Sequence, residues 1–142
     1  MDNKTKEQRS RNMAAVKAKD TKPEWLIRKT LFRQGFRYRL NVKNLPGAPD
    51  IVLSKYKTVI FINGCFWHGH NRCKKAVLPK TNTTFWKKKI ENTKIRDKKI
   101  VKELKSLGWH CLTCWECDII KNRHEFEIVD GHLSLRMLKG EF

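Results

Sequence analysis

Apolar and polar residues repeat along the chain with two different periods, which predict two kinds of secondary structure. Apolar side chains at helical spacing predict one helix over residues 25–35 and a longer helix over residues 84–107. Runs rich in β-branched and aromatic residues predict strands over 36–42, 50–53 and 58–62. The order of these elements predicts an α/β fold in which helices flank a mixed β-sheet.

The two ends of the chain are interpreted from the same patterns. Residues 1–20 contain few large apolar side chains and are interpreted as a basic N-terminal arm. After a further strand over 109–115, residues 125–138 are predicted to form a closing helix despite Gly131. Residues 21–142 are therefore interpreted as one compact domain, as the length of the chain suggests.

The predicted hairpin places one acidic residue at a defined position. A turn centred after Lys55 puts Asp50 opposite Phe61, beside the end of the second strand of the hairpin. A carboxylate at the edge of a buried sheet requires a partner, which is either a hard divalent cation such as magnesium or the backbone amides of a loop. His68 follows nearby, where it can act as a general base; a surface histidine and a zinc ligand are the alternatives.

The densest group of chemically active residues follows this hairpin. Thiolates and imidazoles at close spacing are typical of structural zinc sites, because these donors suit a borderline-soft ion in a closed tetrahedron. Cysteine is also a common buried core residue, which is the alternative interpretation. Cys111 and Cys114 are interpreted as core residues, although either can replace the most distant ligand. The predicted zinc ligands are Cys65, His70, Cys73 and Cys117.

The charge of the chain narrows the class of partner. Against 14 Asp plus Glu there are 32 Lys plus Arg, a formal net charge of +18, and most of the excess lies in residues 1–44 and 72–105. Such a surface favours nucleic acid, because basic side chains release counterions from phosphates. No apolar run reaches the length of a membrane span and no export signal is visible, so a cytoplasmic, nucleoid-associated protein is expected.

Three aromatic residues lie beside the basic segments of the sequence. Phe66 and Trp67 stand next to His68, and Trp86 stands at the start of the second predicted helix. Aromatic side chains next to a basic groove can stack on bases or wedge into a base step. We expect these three to contact DNA, with ordinary core packing as the alternative.

Taken in order, these motifs make the sequence similar to the very-short-patch-repair (Vsr) family of mismatch endonucleases. The resemblance extends from about residue 10 to residue 117, and it depends on the order and spacing of several short motifs. The motifs are Ser10-Arg11-Asn12-Met13, Asp20-Thr21, Leu45-Pro46-Gly47-Ala48-Pro49-Asp50, Gly64-Cys65-Phe66-Trp67-His68, Phe85-Trp86, Arg96-Asp97, Gly108-Trp109 and Trp115-Glu116-Cys117.

The resemblance implies a restriction-endonuclease-like core over residues 21–142 and a magnesium-dependent nick in one strand of double-stranded DNA. The implied substrate is a T:G mismatch, left when 5-methylcytosine deaminates and cut on the 5′ side of the thymine. A monomer is expected, with mismatch-repair proteins as candidate partners. The implied active site contains Asp50 as magnesium ligand, His68 as catalytic histidine, the acids Glu24 and Asp97, and the main-chain carbonyl of Ile62 as a further magnesium ligand.

The resemblance also assigns metal ligands and DNA contacts. It implies structural zinc at the same four cysteine and histidine positions that the spacing predicts. The residues implied to enter the DNA beside the mismatch are Phe66, Trp67, Trp86 and, from the N-terminal arm, Met13.

The sequence departs from the family pattern at three places. Asn63 stands where the best-known members have a second active-site histidine, and asparagine can orient a phosphate or water but cannot act as a base near neutral pH. In the basic helix Lys89 is retained, whereas Thr93 replaces a base-reading asparagine and Asn92 lies one position early, a rotation of about 100°. The segment from His70 to Cys73 is one residue longer than the commonest version. We expect Lys89 and Asn92 to contact DNA.

Two other functions stay open at this level. The departures at Asn63 and Thr93 favour a site-specific or structure-specific endonuclease of the same fold in a restriction or mobile-element system. A zinc-stabilised DNA-binding module without catalysis would also account for the charge and the cysteines. Substitution of Asp50 would leave the behaviour of such a module intact.

Overall fold

The computed structural model describes residues 21–121, 123–129 and 132–138 of the chain, so the predicted arm with Met13 lies outside the described residues. Within the described part, no helix is long and apolar enough to cross a membrane. The helices are α1 (Lys22–Arg33), α2 (Thr83–Ser106) and α3 (Glu116–Lys121), and the strands are β1 (Arg39–Leu40), β2 (Ile51–Leu53), β3 (Thr58–Asn63), β4 (His110–Trp115), β5 (Arg123–Val129) and β6 (His132–Leu138).

Strands β1 to β4 form a mixed sheet in the order β1-β2-β3-β4. β2 and β3 are antiparallel and pair Ile51 with Ile60, and the same register places Asp50 opposite Phe61, as the turn position predicts. β4 runs parallel to β3 after a crossover that contains α2. The prediction of an α/β chain with a mixed sheet and helices is confirmed at this level.

The first strand is shorter than the seven residues predicted from its alternating pattern. Only Arg39 and Leu40 pair with β2. Phe36 and Tyr38 instead pack against the buried residues below α1, and the Tyr38 hydroxyl donates a hydrogen bond to the backbone carbonyl of Arg28 at 3.2 Å. Contact with α1 thus takes the place of strand pairing over this segment.

The sheet has a hydrophobic core on each face, because successive residues of a strand point to opposite sides. On one face α1 and the β5-β6 hairpin pack on Ile51, Leu53 and Ile60. On the other face α2 contributes Leu104, which packs on Val52 and Val59. The sheet that carries several of the active-site candidates therefore has a helix packed on each of its faces.

The closing helix predicted over residues 125–138 is wrong, because this segment forms the antiparallel hairpin of β5 and β6. Leu133, Leu135 and Met137 alternate with polar residues, which is the period of a strand, and Asp130-Gly131 is a sequence typical of tight hairpin turns. The pairing of β5 with β6 thus follows local signals that the helix interpretation passed over.

Gln34, just after α1, connects this hairpin to the rest of the fold. The Gln34 Nε2 donates to the backbone carbonyl of Phe126 at 3.1 Å, and the Phe126 backbone N–H donates to the Gln34 Oε1 at 2.7 Å. The Phe126 ring is buried in the core beside Ile27 and Leu31 of α1. The hairpin therefore covers the side of α1 that faces the sheet core.

Candidate active site and metal centre

An open cleft of about 660 Å³ lies between the end of β3 and the middle of α2. Its walls come from α1, the loop before β2, β3 and α2, so the fold brings together residues that are far apart in the sequence. The residues that the sequence assigns to the active site all line this cleft: Glu24, Asp50, Ile62, Asn63, His68 and Asp97.

Asp50 is partly buried just before β2. Its Oδ2 accepts a hydrogen bond from the backbone N–H of Ile62 at 2.7 Å. A backbone amide, here one of β3, is thus one partner of this carboxylate. Burial raises the pKa of Asp50 above its usual range; the hydrogen bond from Ile62 opposes this shift, and the nearby Glu24 carboxylate adds to it. A carboxylate in this state gains strongly from a neighbouring cation.

His68 and Asp97 form a close pair across the cleft. The His68 Nδ1 lies 2.7 Å from the Asp97 Oδ2, and the side chains are 25% and 32% exposed, so the pair is open to a substrate. A carboxylate at Nδ1 fixes the orientation of the ring and favours the tautomer whose Nε2 can accept a proton. The arrangement suits general base chemistry.

Glu24 reaches the cleft from the first turn of α1. The helix begins with Thr21 as its N-cap, whose Oγ1 accepts from the Glu24 backbone N–H at 3.5 Å. The Glu24 Oε2 accepts a hydrogen bond from an Arg28 guanidinium nitrogen at 3.0 Å, and both side chains are buried. Arg28 is one turn further along the helix and was not among the residues singled out from the sequence, where its only signal is the spacing of four from Glu24.

The four predicted zinc ligands form one cluster, and their ligand atoms all lie within 4.8 Å of one another. A tetrahedral site with thiolate ligands has ligand separations of about 3.8 Å, so the cluster fits a metal ion after a small contraction. Cys111 and Cys114 pack in opposite cores of the sheet and do not belong to the cluster. The cluster consists of Cys65, His70, Cys73 and Cys117.

The surroundings of the cluster orient its members. The Cys117 backbone N–H donates to the Cys65 Sγ at 3.4 Å, and the Cys117 Sγ lies 3.4 Å from the His70 Nδ1. The His70 ring stacks on Trp115 with a centroid distance of 4.2 Å and an interplanar angle of 9°. Trp115 ends β4, so the sheet itself sets the plane of the imidazole.

The pKa values of the clustered thiols are shifted from their ordinary value, and the causes of these shifts explain why a cation suits the cluster. Burial raises the pKa of Cys65, and burial together with the neighbouring thiols raises the pKa of Cys117 to about 12. At Cys73 desolvation raises the pKa, but hydrogen bonds from the Lys75 backbone and from the Cys65 and Cys117 thiols outweigh it and leave the pKa below its ordinary value. Adjacent thiolates repel one another, and a bound metal dication would remove that repulsion.

The aromatic residues singled out from the sequence are packed together at the start of α2. Ring centroids within the group of Phe66, Trp67 and Trp86 are 5.2 to 5.8 Å apart. Phe85 extends the group and is 58% exposed. The Lys89 Nζ lies 5.4 to 5.9 Å from the centroids of Trp67, Trp86 and Phe85. We call these five residues the aromatic cluster; a cation beside partly exposed rings suits stacking on bases.

Comparison of the sequence with known proteins shows which family the chain belongs to. The family model of the DNA mismatch endonuclease Vsr matches residues 1–75. The type II nicking enzyme V.NmeAIP of Neisseria meningitidis serogroup A is 53% identical over 119 residues, which cover 84% of each chain. The DNA mismatch endonuclease Vsr of Escherichia coli K12 is 41% identical over 129 residues, 91% of this chain and 80% of its own. The chain belongs to the Vsr family of DNA mismatch endonucleases.

These matches confirm the family that the motifs predict, and with it the class of enzyme, a DNA endonuclease. Another relative, the type II nicking enzyme V.HpaIIP of Haemophilus parainfluenzae, is 43% identical over 129 residues, 90% of this chain and 92% of its own. These relatives thus include both mismatch endonucleases and nicking enzymes by name.

The remaining candidate of the basic helix, Asn92, is exposed on α2, outside the aromatic cluster. The Thr93 hydroxyl donates to the backbone carbonyl of Lys89 at 3.0 Å, so its position bonds within the helix. The Thr93 hydroxyl is therefore engaged within the helix, whereas the neighbouring Lys89 and Asn92 are exposed.

Gly69, between His68 and His70, packs closely against α2. Its φ is +60°, and a Cβ there would lie 2.4 Å from the Lys94 Cε and 2.6 Å from the Ile90 Cγ2. We expect Gly69→Ala to lower the free energy of unfolding by about 2–4 kcal/mol, the sum of left-handed strain and overpacking. Urea denaturation with zinc present measures this change.

Gly35→Ala is the matched control, because Gly35 also has a positive φ, +91°, but nothing lies within 4 Å of a Cβ at that position. It should cost about 1–2 kcal/mol, the strain alone. Equal losses for the two variants would show that the loop does not rest tightly on α2.

Proposed function

We propose that this protein is a magnesium-dependent endonuclease that nicks one strand of double-stranded DNA on the 5′ side of the thymine in a T:G mismatch. The observation that carries the proposal is the His68–Asp97 pair, 2.7 Å apart and in the same cleft as Asp50. Family membership supports a mismatch as the substrate. One chain supplies all residues of one cleft, which suits a monomer that cuts a single strand.

The proposal includes a restriction-endonuclease-like core over residues 21–142. A mixed sheet with α1 and α2 on opposite faces, and an acid at the start of a central hairpin, support this assignment. Residues 1–20 then form a separate DNA-contacting arm, in which Met13 enters the duplex near the mismatch. The excess of Lys and Arg over Asp and Glu in residues 1–44 supports contact with phosphates.

The oxygen donors of the cleft suit a magnesium ion held by few protein ligands. Asp50 and the main-chain carbonyl of Ile62 would hold it, since magnesium in such sites keeps several waters. The raised pKa of Asp50 and the presence of Glu24 and Asp97 in the same cleft support a hard cation here. When bound, magnesium polarises the scissile phosphate and stabilises the leaving 3′ oxygen.

In this proposal the side chains of the cleft carry out proton transfer and orient the substrate. His68 accepts the proton of the attacking water at Nε2, and Asp97 holds the ring and stabilises the imidazolium that forms. Glu24, fixed by Arg28, and Asn63 orient water and phosphate in the cleft. An asparagine at position 63 leaves the base function to His68 alone.

The metal cluster and the aromatic cluster supply rigidity and recognition in this proposal. Zinc bound at the Cys/His cluster holds the short loop in which His68 lies between the ligands Cys65 and His70. Phe66, Trp67 and Trp86 open the mismatched step, with Lys89 and Asn92 contacting the DNA beside it. A mismatch costs less to unstack than a paired step, so opening itself provides selectivity.

The test is a nicking assay with labelled duplexes that carry a T:G pair, another mismatch or no mismatch, each with magnesium or with EDTA. We expect magnesium-dependent nicking of the thymine strand of the T:G duplex alone. Equal nicking of matched DNA would favour a site-specific or structure-specific endonuclease, and binding without any cleavage would leave a zinc-stabilised DNA-binding module.

The role of Asp97 has its own prediction. Asp97→Asn keeps the shape of the side chain but removes the charge that stabilises a protonated His68, so the single-turnover nicking rate should fall about 100-fold or more. The dissociation constant for T:G DNA, measured by fluorescence anisotropy, should change by less than about threefold. A wild-type rate in this variant would remove His68 from the role of general base.

A further inference from the structure

A second concave surface lies on the exposed side of α1 and has a volume of about 410 Å³. None of its lining residues lines the active-site cleft. We call it the α1 groove; its lining residues are Trp25, Arg28, Lys29, Phe32, Arg33 and Tyr38.

The α1 groove exposes two large aromatic rings. The Trp25 side chain is 51% exposed and the Phe32 side chain is 58% exposed, although large aromatic residues are usually buried in a core. The two residues are seven positions apart on a helix, which places them on one face about 10 Å apart. Their exposure indicates a surface that is covered when a partner is bound.

Each ring is paired with a guanidinium group. The Arg28 guanidinium carbon lies 5.3 Å from the centroid of the Trp25 ring, and the Arg37 guanidinium carbon lies 4.2 Å from the centroid of Phe32. These stacks hold the rings and the positive charges in fixed relative positions. Arg28 is buried and paired with Glu24, but the exposed charged side chains that line the groove, Lys29 and Arg33, are both basic, so its occupant should be an anion.

We propose that the α1 groove binds a short stretch of single-stranded DNA, with bases stacked on Trp25 and Phe32 and phosphates bound by Lys29, Arg33 and Arg37. Aromatic platforms combined with a basic groove are how proteins bind single strands, because every base has a face that can stack. A closed duplex hides those faces and cannot stack on the two rings. This site would be a second DNA-binding site, separate from the cleft in which cleavage is proposed.

Two occupants from the protein itself are disfavoured by charge. The N-terminal segment, residues 1–20, carries six Lys plus Arg against three Asp plus Glu, a net charge of +3, which has the same sign as the groove. A second copy of the chain carries a net charge of +18. Both would meet a like-charged surface. An acidic segment of a partner protein is the remaining rival, and the experiment includes it as an outcome.

The experiment measures binding of a fluorescent thymidine oligomer of about twelve nucleotides by anisotropy at fixed ionic strength, with saturating unlabelled matched duplex present to occupy the cleft. We expect the double variant Trp25→Ala, Phe32→Ala to raise the Kd for the oligomer at least about tenfold. Trp25→Phe should stay within about threefold, since it keeps a stacking ring. The Kd for the duplex should be unaffected in both.

Leu107→Ala is the control for loss of an exposed apolar side chain, because Leu107 is 57% exposed beyond the end of α2. An unchanged oligomer Kd in the double alanine variant would overturn the proposal, as would full displacement of the oligomer by the duplex. Binding of an acidic, aromatic-containing peptide in place of the oligomer would also overturn it and assign the groove to a protein. Failure of the nicking assay would count only against the cleft, since no cleavage is measured here.

Discussion

The variant Asp50→Asn is expected to lower the nicking rate at least about 1,000-fold, the largest effect of any single substitution in the cleft. Asparagine retains an oxygen that can accept the hydrogen bond from the Ile62 N–H, so the hairpin should keep its register. What it loses is the negative charge that would hold magnesium in the proposed site. Single-turnover nicking of T:G DNA, titrated with magnesium, measures the loss.

The same substitution should raise the melting temperature by a few degrees. Burial raises the pKa of Asp50 in the folded state, so above the unfolded-state pKa the ionised carboxylate costs folding energy that asparagine does not. Glu91→Gln, at an exposed acid of α2 that does not line the cleft, is the control and should change neither quantity. An Asp50→Asn protein that nicks at the wild-type rate would move the metal site elsewhere.

The variant Cys117→Ser is expected to abolish binding of one zinc ion per chain and to lower the melting temperature by about 10 °C or more. Cys117 lies on α3, whereas the other three ligands lie in the segment after β3, so a bound ion connects two distant parts of the chain. Loss of this ligand opens the cluster and releases the loop that contains His68. Metal analysis and calorimetry on the purified protein measure the two effects.

Cys111→Ser provides the comparison, because Cys111 packs in the core on the α2 side of the sheet and is not a member of the cluster. This variant should retain the zinc ion and lose only about 1–2 kcal/mol of stability. If Cys111→Ser lost the metal while Cys117→Ser kept it, the ligand assignment would be wrong.

The part of the site that could be predicted directly from the residues depends on local geometry. The register of a hairpin follows from its turn, so the sequence alone places Asp50 opposite Phe61. Three predicted zinc ligands within nine residues have a recognisable spacing, and Cys117 follows from its position after a predicted strand. The pair of His68 and Asp97, 29 positions apart, has no local signal, and only the family resemblance connects them to one site.

The features that the sequence does not predict, or predicts wrongly, also have physical causes. Glu24 and Arg28 are spaced like an ordinary surface ion pair, and their burial depends on packing that no window of sequence contains. The C-terminal hairpin differs from the predicted helix although its alternation and turn sequence are visible, because Phe126 and Leu133 fit either pattern in a short segment. Gln34 then stabilises the strand that the helix interpretation excluded.

Helix α2 runs from Thr83 to Ser106 without a glycine or proline, so it is one continuous rigid rod. Trp86 near its start belongs to the aromatic cluster, and Asp97 in its middle faces the cleft. Eleven residues of helix separate them by about 16 Å. In the proposed enzyme the length of α2 between these two residues therefore fixes the distance from the opened base step to the phosphodiester bond that is cut. Every turnover on a given substrate would then end at the same nucleotide.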